Sequence, residues 1–314
     1  MKAVLHFRAS RGLREWLAAL RPDWLEVAVL AEADRAGLAA ALGEAEVLLH
    51  VLEPVTAAHL AGAPRLRLIQ KLGVGVNTID LDAARARGIA VANMPGTNTR
   101  AVAEMTLMLM LAALRRASHL DRLTRAGQGW SADADLFDGV GELAGRTVGL
   151  VGYGAVVRRL APVLAALGTR LLYTARAPKP DAIAEWRPLD ALLAEADVVS
   201  LHLPLTPETE RLIDARRLAL MRPGAVLVNT ARGGLVDEAA LVAALREGRL
   251  RAAGLDVFAR EPAEAANPLF ALDNVVLAPH VAWLTPETWQ RSLAVAFENC
   301  RRLRAGEPLL NRVA

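Results

Sequence analysis

Short β-type runs of Val, Leu, Ile and Ala alternate along the chain with longer Ala/Leu/Arg stretches whose apolar positions recur every three to four residues. Runs at 4–7, 27–30, 47–51, 66–72 and 89–92 read as strands, and the stretches 11–20, 33–41 and 81–87 between them read as helices. One long amphipathic helix is predicted over 99–118, followed by a polar, glycine-containing segment of little periodicity over 127–145. From Thr147 a second series begins, with strands predicted at 148–151, 171–173, 198–203, 225–229, 252–255 and 275–277. Alternation of this kind calls for parallel sheets with helices on their faces, so the expected class is α/β: two doubly wound parallel-sheet domains with a cleft between them. The last apolar-periodic stretch, 286–303, must pack somewhere, and the smaller first series is one covering helix short. We therefore expect a discontinuous first domain, 1–98 plus 286–314, and a continuous second domain, 99–285.

Composition narrows the function classes. With 23% charged and 54% hydrophobic residues, the 314-residue chain has the profile of a globular protein, not a disordered one. Much of the apolar fraction is Ala, and the longest largely apolar run, 105–114, is half of the roughly 20 residues that span a bilayer, so no membrane role is expected. The first residues, Met1-Lys2-Ala3-Val4-Leu5, carry no secretory pattern, and a single cysteine, Cys300, cannot form an internal disulfide. A cytoplasmic location is the expectation. The formal net charge is only +3 and the arginines are scattered; the densest basic stretch, Arg301-Arg302-Leu303-Arg304, reads as a solvated helix face, so no nucleic-acid partner is expected. No metal is expected either.

Candidate chemistry starts at Gly152-Tyr153-Gly154-Ala155-Val156-Val157, which closes one predicted strand and opens a helix over 155–167. Gly152 would permit the tight turn and Gly154 the close approach of backbone to a pyrophosphate, which then lies on the unpaired N–H groups of the helix start. Val157 stands where a third glycine lets helix and strand pack closely, so the helix is expected to stand slightly further off. About 20 residues on, the next strand ends at Thr174-Ala175-Arg176, where an NAD site places an acid for the ribose hydroxyls. Ala175 offers no carboxylate to repel a 2′-phosphate and Arg176 offers a guanidinium to bind one, so NADP is expected over NAD.

Three polar segments each follow a predicted strand of the second series: Asn229-Thr230-Ala231-Arg232-Gly233-Gly234, Asp256 to Glu261-Pro262, and Ala278-Pro279-His280. Strand ends of one parallel sheet converge, so Arg232, Glu261 and His280 can meet. The trio suits carbonyl reduction. His280 can protonate an oxygen near neutral pH, a Glu261 carboxylate would stabilise the imidazolium, and Arg232 can hold a carboxylate while polarising the adjacent carbonyl.

Taken together, these segments resemble the D-isomer-specific 2-hydroxyacid dehydrogenases, most nearly the glyoxylate/hydroxypyruvate reductase subgroup. The likeness also runs through Gly73-Val74-Gly75-Val76-Asn77-Thr78-Ile79-Asp80, Asn93-Met94-Pro95-Gly96, Ala101-Val102-Ala103-Glu104 and His202-Leu203-Pro204. The resemblance implies a substrate domain of 1–98 plus 286–314 and a Rossmann-like dinucleotide-binding domain of 99–285. It implies Arg232 as the substrate-polarising residue, Glu261 as partner of His280, and His280 as proton donor. It further implies that Asp256 binds the nicotinamide carboxamide, that Leu203, Thr230 and Ala231 line the cofactor site, and that residues 99–118 and 127–145 build a two-fold homodimer. Gly73 and Gly75 are then expected to turn the backbone so that the N–H groups of Val74 and Gly75 form an anion nest, clamping substrate between the domains. Trp283, three residues past His280, is similar to an aromatic of that subgroup that walls the substrate pocket.

The implied activity is hydride transfer between a nicotinamide cofactor and a small 2-keto or 2-hydroxy acid, glyoxylate or hydroxypyruvate first. A dehydrogenase of D-lactate, phosphoglycerate, phosphite or formate stays open, phosphoglycerate less so because no regulatory domain follows Ala314. A non-catalytic dinucleotide sensor on the same fold is the alternative from another class. The sequence departs from the family pattern at Asn77, Val157 and Ala175, and only the last bears on the chemistry, through cofactor choice.

Overall fold

A computed structural model describes residues 1–314. The chain divides into two units, 1–98 with 284–314, and 99–283.

The first unit is built on strands β1 (Lys2–His6), β2 (Glu26–Leu30), β3 (Val47–His50), β4 (Leu68–Lys71) and β5 (Ala90–Ala92), with helices α1 (Arg11–Leu20), α2 (Arg35–Leu42), α3 (Ala57–Ala61) and α4 (Leu81–Ala86). All pairings are parallel and the strand order is β2-β1-β3-β4-β5. The caps explain the helix starts: Ser10, Asp34 and Asp80 accept the N–H of the residue three further on, satisfying donors the helix itself leaves open. Val4, Leu48, Ile69 and Val91 fill the interior with Leu38, Leu42 and Leu60 from the helices.

The second unit opens with α5 (Thr99–Leu114), α6 (Ala117–Arg125) and α7 (Asp135–Asp138). The single helix expected over 99–118 is thus two. Its apolar repeat ends at Leu114, and Arg116 takes a left-handed φ of 51°, where the chain turns into the far more polar α6. Then follow β6 (Thr147–Val151), α8 (Ala155–Ala166), β7 (Arg170–Thr174), β8 (Glu185–Trp186), α9 (Leu189–Glu195), β9 (Val198–Leu201), α10 (Ala215–Leu220), β10 (Ala225–Asn229), α11 (Glu238–Arg246), β11 (Leu250–Leu255) and β12 (Val275–Leu277). Their parallel sheet has the order β12-β11-β10-β9-β6-β7-β8, so the strand order reverses between β6 and β9. A reversal of this kind opens a crevice at the carboxyl ends of the strands, where doubly wound sheets bind ligands.

The chain returns to the first unit through α12 (Pro286–Ala305), capped by Thr285 and stopped at Gly306, φ 71°. Its buried Asn299 donates to Gln70 Oε1 (2.6 Å) on β4 and exchanges two hydrogen bonds with Leu310, fixing the final segment, which pairs with β5 through Ala92 and Arg312. No helix is long and apolar enough to cross a membrane.

Candidate active site

The turn after β6 has the shape that its glycines require. Gly152 sits at φ 105°, and a β-carbon there would come within 2.7 Å of the His202 carbonyl oxygen at the end of β9. Gly154 is the extended N-cap of α8, with open space where a side chain would stand and no side-chain partner for the first N–H groups of the helix. An exposed, uncapped helix start at the switch point of the sheet fits a pyrophosphate, with Gly154 and Ala155 exposed, Val156 half-buried and Leu203 against Gly152. Val157 is fully buried in the core between helix and sheet. The closest helix approach to this strand lies on its other face. A β-carbon on Gly149 would come within 2.5 Å of the Leu192 side chain and 2.9 Å of that of Ala196, so α9 demands the glycine.

The loop after β7 is held by a pair of tyrosines whose rings meet at a tilt of 50°. Tyr153 and Tyr173 rings lie 4.5 Å apart, Tyr153 Oη accepts the Ile183 N–H (3.1 Å) and Tyr173 Oη the Lys179 N–H (2.5 Å). Ala175 is half-buried and Arg176 exposed on this loop. The neighbouring Asp181 carboxylate is paired with Arg158 of α8, whose hydrogen bond, helped by its charge, keeps it below the usual carboxylate range.

Past β10, Asn229 closes the next loop on itself: its Oδ1 accepts the Ala231 N–H (3.0 Å) and its Nδ2 donates to the Arg232 carbonyl (2.9 Å). Thr230 is buried and Ala231 half-buried. The half-buried Arg232 guanidinium donates to the Ala231 carbonyl (2.6 Å), and burial lowers its pKa while the Glu261 carboxylate acts in the opposite sense. Gly233 is the closest contact of the site. A β-carbon there would lie 1.9 Å from the carbonyl carbon and oxygen of Phe258, so the Arg232 loop and the Glu261 loop touch backbone to backbone.

Glu261 Oε2 lies 2.5 Å from His280 Nδ1, and Glu261 Oε1 accepts the Phe258 N–H at 2.9 Å. Burial acts to raise the Glu261 pKa, but the bond and charge of His280, the Phe258 N–H and the Arg232 charge outweigh it and hold the carboxyl below its ordinary value. His280 itself has a left-handed φ of 56°, a costly conformation for a residue with a β-carbon, and four hydrogen bonds fix it. The His280 N–H donates to the Asp256 carbonyl (2.7 Å), the Val281 and Ala282 N–H groups donate to the two Asp256 carboxylate oxygens (2.8 and 3.0 Å), and Trp283 Nε1 donates to the His280 carbonyl (3.1 Å).

Asp256, expected to bind the nicotinamide carboxamide, is fully buried, and its two oxygens accept the Val281 and Ala282 N–H groups, so it also anchors the His280 loop. Burial lifts its pKa to about 6, against the lowering effect of those two N–H groups. Trp283, likewise buried, clasps the same loop. His202, part of a segment that carries the family likeness but given no role from the sequence, has its Nε2 2.9 Å from Ser200 Oγ, and burial lowers its pKa to about 4.

On the first unit, only one glycine of the Gly73-Val74-Gly75 loop needs its freedom: Gly73 has φ 155°, while Gly75 keeps a negative φ. The Gly73 carbonyl accepts the Met94 N–H (3.0 Å) and the Val74 carbonyl accepts Asn93 Nδ2 (2.9 Å). Because a trans peptide points its N–H opposite to its C=O, the Val74 and Gly75 N–H groups face away from the 93–94 segment, side by side.

Residues 107–282 match the family model of the D-isomer specific 2-hydroxyacid dehydrogenase, NAD binding domain. The glyoxylate reductase of Aeropyrum pernix is 46% identical over 248 residues, 76% of this chain and 74% of that one. The D-3-phosphoglycerate dehydrogenase of Mycobacterium leprae is 43% identical over 290 residues, 91% of this chain; the match spans 54%, about half, of that longer protein. Among solved structures, the TT0316 protein from Thermus thermophilus superposes with a TM-score of 0.90 at 39% identity, covering 100% of both chains.

Proposed function

The chain belongs to the D-isomer-specific 2-hydroxyacid dehydrogenase family, and from that premise we propose that it reduces small 2-keto acids, glyoxylate or hydroxypyruvate, to their D-2-hydroxy acids with NADPH. The observation that carries the reading is the His280–Glu261 pair at 2.5 Å with the Arg232 guanidinium within electrostatic reach of the carboxylate. When bound, the nicotinamide dinucleotide supplies the hydride that reaches the keto carbon. His280 delivers a proton to the keto oxygen, and Glu261 bears on Nδ1, leaving Nε2 as the proton-donating atom. Arg232 holds the substrate carboxylate and polarises the carbonyl, and its partial burial strengthens both interactions. Gly152, Gly154, Ala155 and Val156 receive the pyrophosphate, with Leu203, Thr230 and Ala231 along the rest of the dinucleotide. Val74 and Gly75 offer their paired N–H groups to a carboxylate.

Preference for NADP rests on Ala175 and Arg176, since no acid follows β7 and an exposed guanidinium stands in its place. A homodimer is supported by the exposed apolar side chains of Met108, Leu111, Trp130 and Phe137 on and after α5. A reducing cytoplasm suits the lone, buried Cys300, whose thiol burial pushes up to about 12. The testing experiment is the loss of nicotinamide absorbance with glyoxylate, hydroxypyruvate, pyruvate and 3-phosphohydroxypyruvate, each against NADPH and NADH. Fast oxidation of NADPH with the first two supports the proposal. A preference for the phosphorylated acid moves the assignment to a phosphoglycerate dehydrogenase, and silence with all of them in a protein that binds the dinucleotide leaves a sensor.

A further inference from the structure

We propose that α5 is the strut that places the catalytic loops, and that Thr106 is the positioning residue through which it holds the loop of Arg232. The inference rests on the dehydrogenase reading. Thr106 is fully buried, and its Oγ1 lies 2.7 Å from the Val102 carbonyl oxygen and 2.8 Å from Thr230 Oγ1. A hydroxyl has one proton. The Val102 carbonyl can only accept, so the Thr106 proton goes there, and the bond between the two threonines is donated by Thr230. The chain of bonds therefore has one direction: Thr230 to Thr106 to the backbone of α5. Thr230 lies two residues before Arg232, inside the turn that Asn229 closes.

A second contact fixes the same helix to the other catalytic strand. A β-carbon on Gly254 would come within 2.9 Å of Leu109 Cβ and 3.0 Å of the Leu109 carbonyl oxygen, so α5 lies directly on β11 two residues before Asp256. One turn of α5 thus touches the roots of both loops, the hydroxyl pair setting the Arg232 side and the glycine contact the His280 side. Thr106→Val keeps the volume and leaves the buried Thr230 hydroxyl without its acceptor, so the loop loses its tether while the helix stays packed.

The test uses the full chain with Thr106→Val, Thr106→Ser and the double variant Thr106→Val/Thr230→Val. Amide hydrogen exchange reads the 229–235 segment whatever the substrate is: Thr106→Val should exchange about ten-fold faster there and unchanged elsewhere in the sheet. In turnover of the keto acid at saturating dinucleotide, kcat should fall roughly 10- to 100-fold, a larger factor than any loss of dinucleotide affinity through Thr230 and Ala231 on the same loop. Thr106→Ser should restore both readouts, and the double variant should lose no more kcat than Thr106→Val alone. Unchanged exchange in Thr106→Val overturns the proposal, as do multiplicative losses in the double variant or failure of serine to rescue. A wild type that turns over none of the keto acids refutes the functional reading instead, and the exchange result still decides the tether.

Discussion

Gly233 is where a single methyl group should separate catalysis from binding. In Gly233→Ala the new carbon would sit 1.9 Å from two backbone atoms of Phe258, and contacts below 3.0 Å essentially do not occur, so the two loops must part by about 1.1 Å. No rotamer change relieves it, since the obstacle is main chain. If the Gly233 side moves, Arg232 goes with it; if the Phe258 side moves, the N–H that holds Glu261 Oε1 goes. A displacement near 1 Å at a reacting group costs on the order of 100-fold, so kcat/KM for the keto acid should fall by about that factor, roughly 2.7 kcal/mol of barrier. The phosphate turn lies on β6, separated from β10 by β9, so the dinucleotide Kd should stay within about two-fold of wild type. Steady-state kinetics, fluorescence titration of the dinucleotide and a melting curve are the assay. Gly234→Ala is the control: its β-carbon meets only the end of the Leu205 side chain, at 3.0 Å, which can rotate away. A Gly233→Ala enzyme with wild-type kcat/KM, or a Gly234→Ala enzyme equally impaired, would refute the reasoning.

The remaining expectations concern single groups. His280→Ala should lower turnover about 10²- to 10⁴-fold with dinucleotide affinity unchanged, read by kinetics and titration together; equal loss of both would assign His280 to structure. Arg176→Ala should weaken NADPH about ten-fold or more and leave NADH within about two-fold, and equal effects on the two cofactors would remove Arg176 from phosphate recognition. Asp256 should leave a signature in stability against pH. Its folded pKa of about 6 lies above the ordinary 3.8, so between pH 4 and 6 the folded chain holds a proton that the unfolded chain gives up. Stability should therefore fall as pH rises through that window, by up to about 3 kcal/mol, and level off above it. Denaturant midpoints of wild type and Asp256→Asn across pH 4 to 8 should converge or cross in that interval, and a constant difference would discard the buried-carboxyl argument.

Strands were legible because parallel sheets buried on both faces print as unbroken apolar runs: 225–229 and 275–277 coincide with β10 and β12. The two-residue β8 and the five-residue α3 are too short to show a period, and their boundaries come from pairing and a Thr56–His59 capping box. The break at Arg116 has no glycine or proline to announce it. Within the site, residue types and order pointed to Arg232, Glu261 and His280 because each follows a strand of one sheet. What stayed hidden were distances between loops: the backbone contact at Gly233 and the turning of Asp256 toward Val281 and Ala282. Neither follows from spacing along the chain, since each depends on how two separate loops meet.

The return of α12 to the first sheet also orders events on the ribosome. The second unit is one uninterrupted stretch and can close as soon as it has emerged, whereas the first unit must wait for α12, whose buried Trp289, Leu293, Ala296 and Phe297 come after that stretch. At about 5 to 20 residues per second the intervening stretch takes roughly 10 to 40 s to translate. For that interval the nascent chain carries an apolar sheet that lacks its last covering helix, so the exposure that this architecture has to survive falls during synthesis and not in the finished fold.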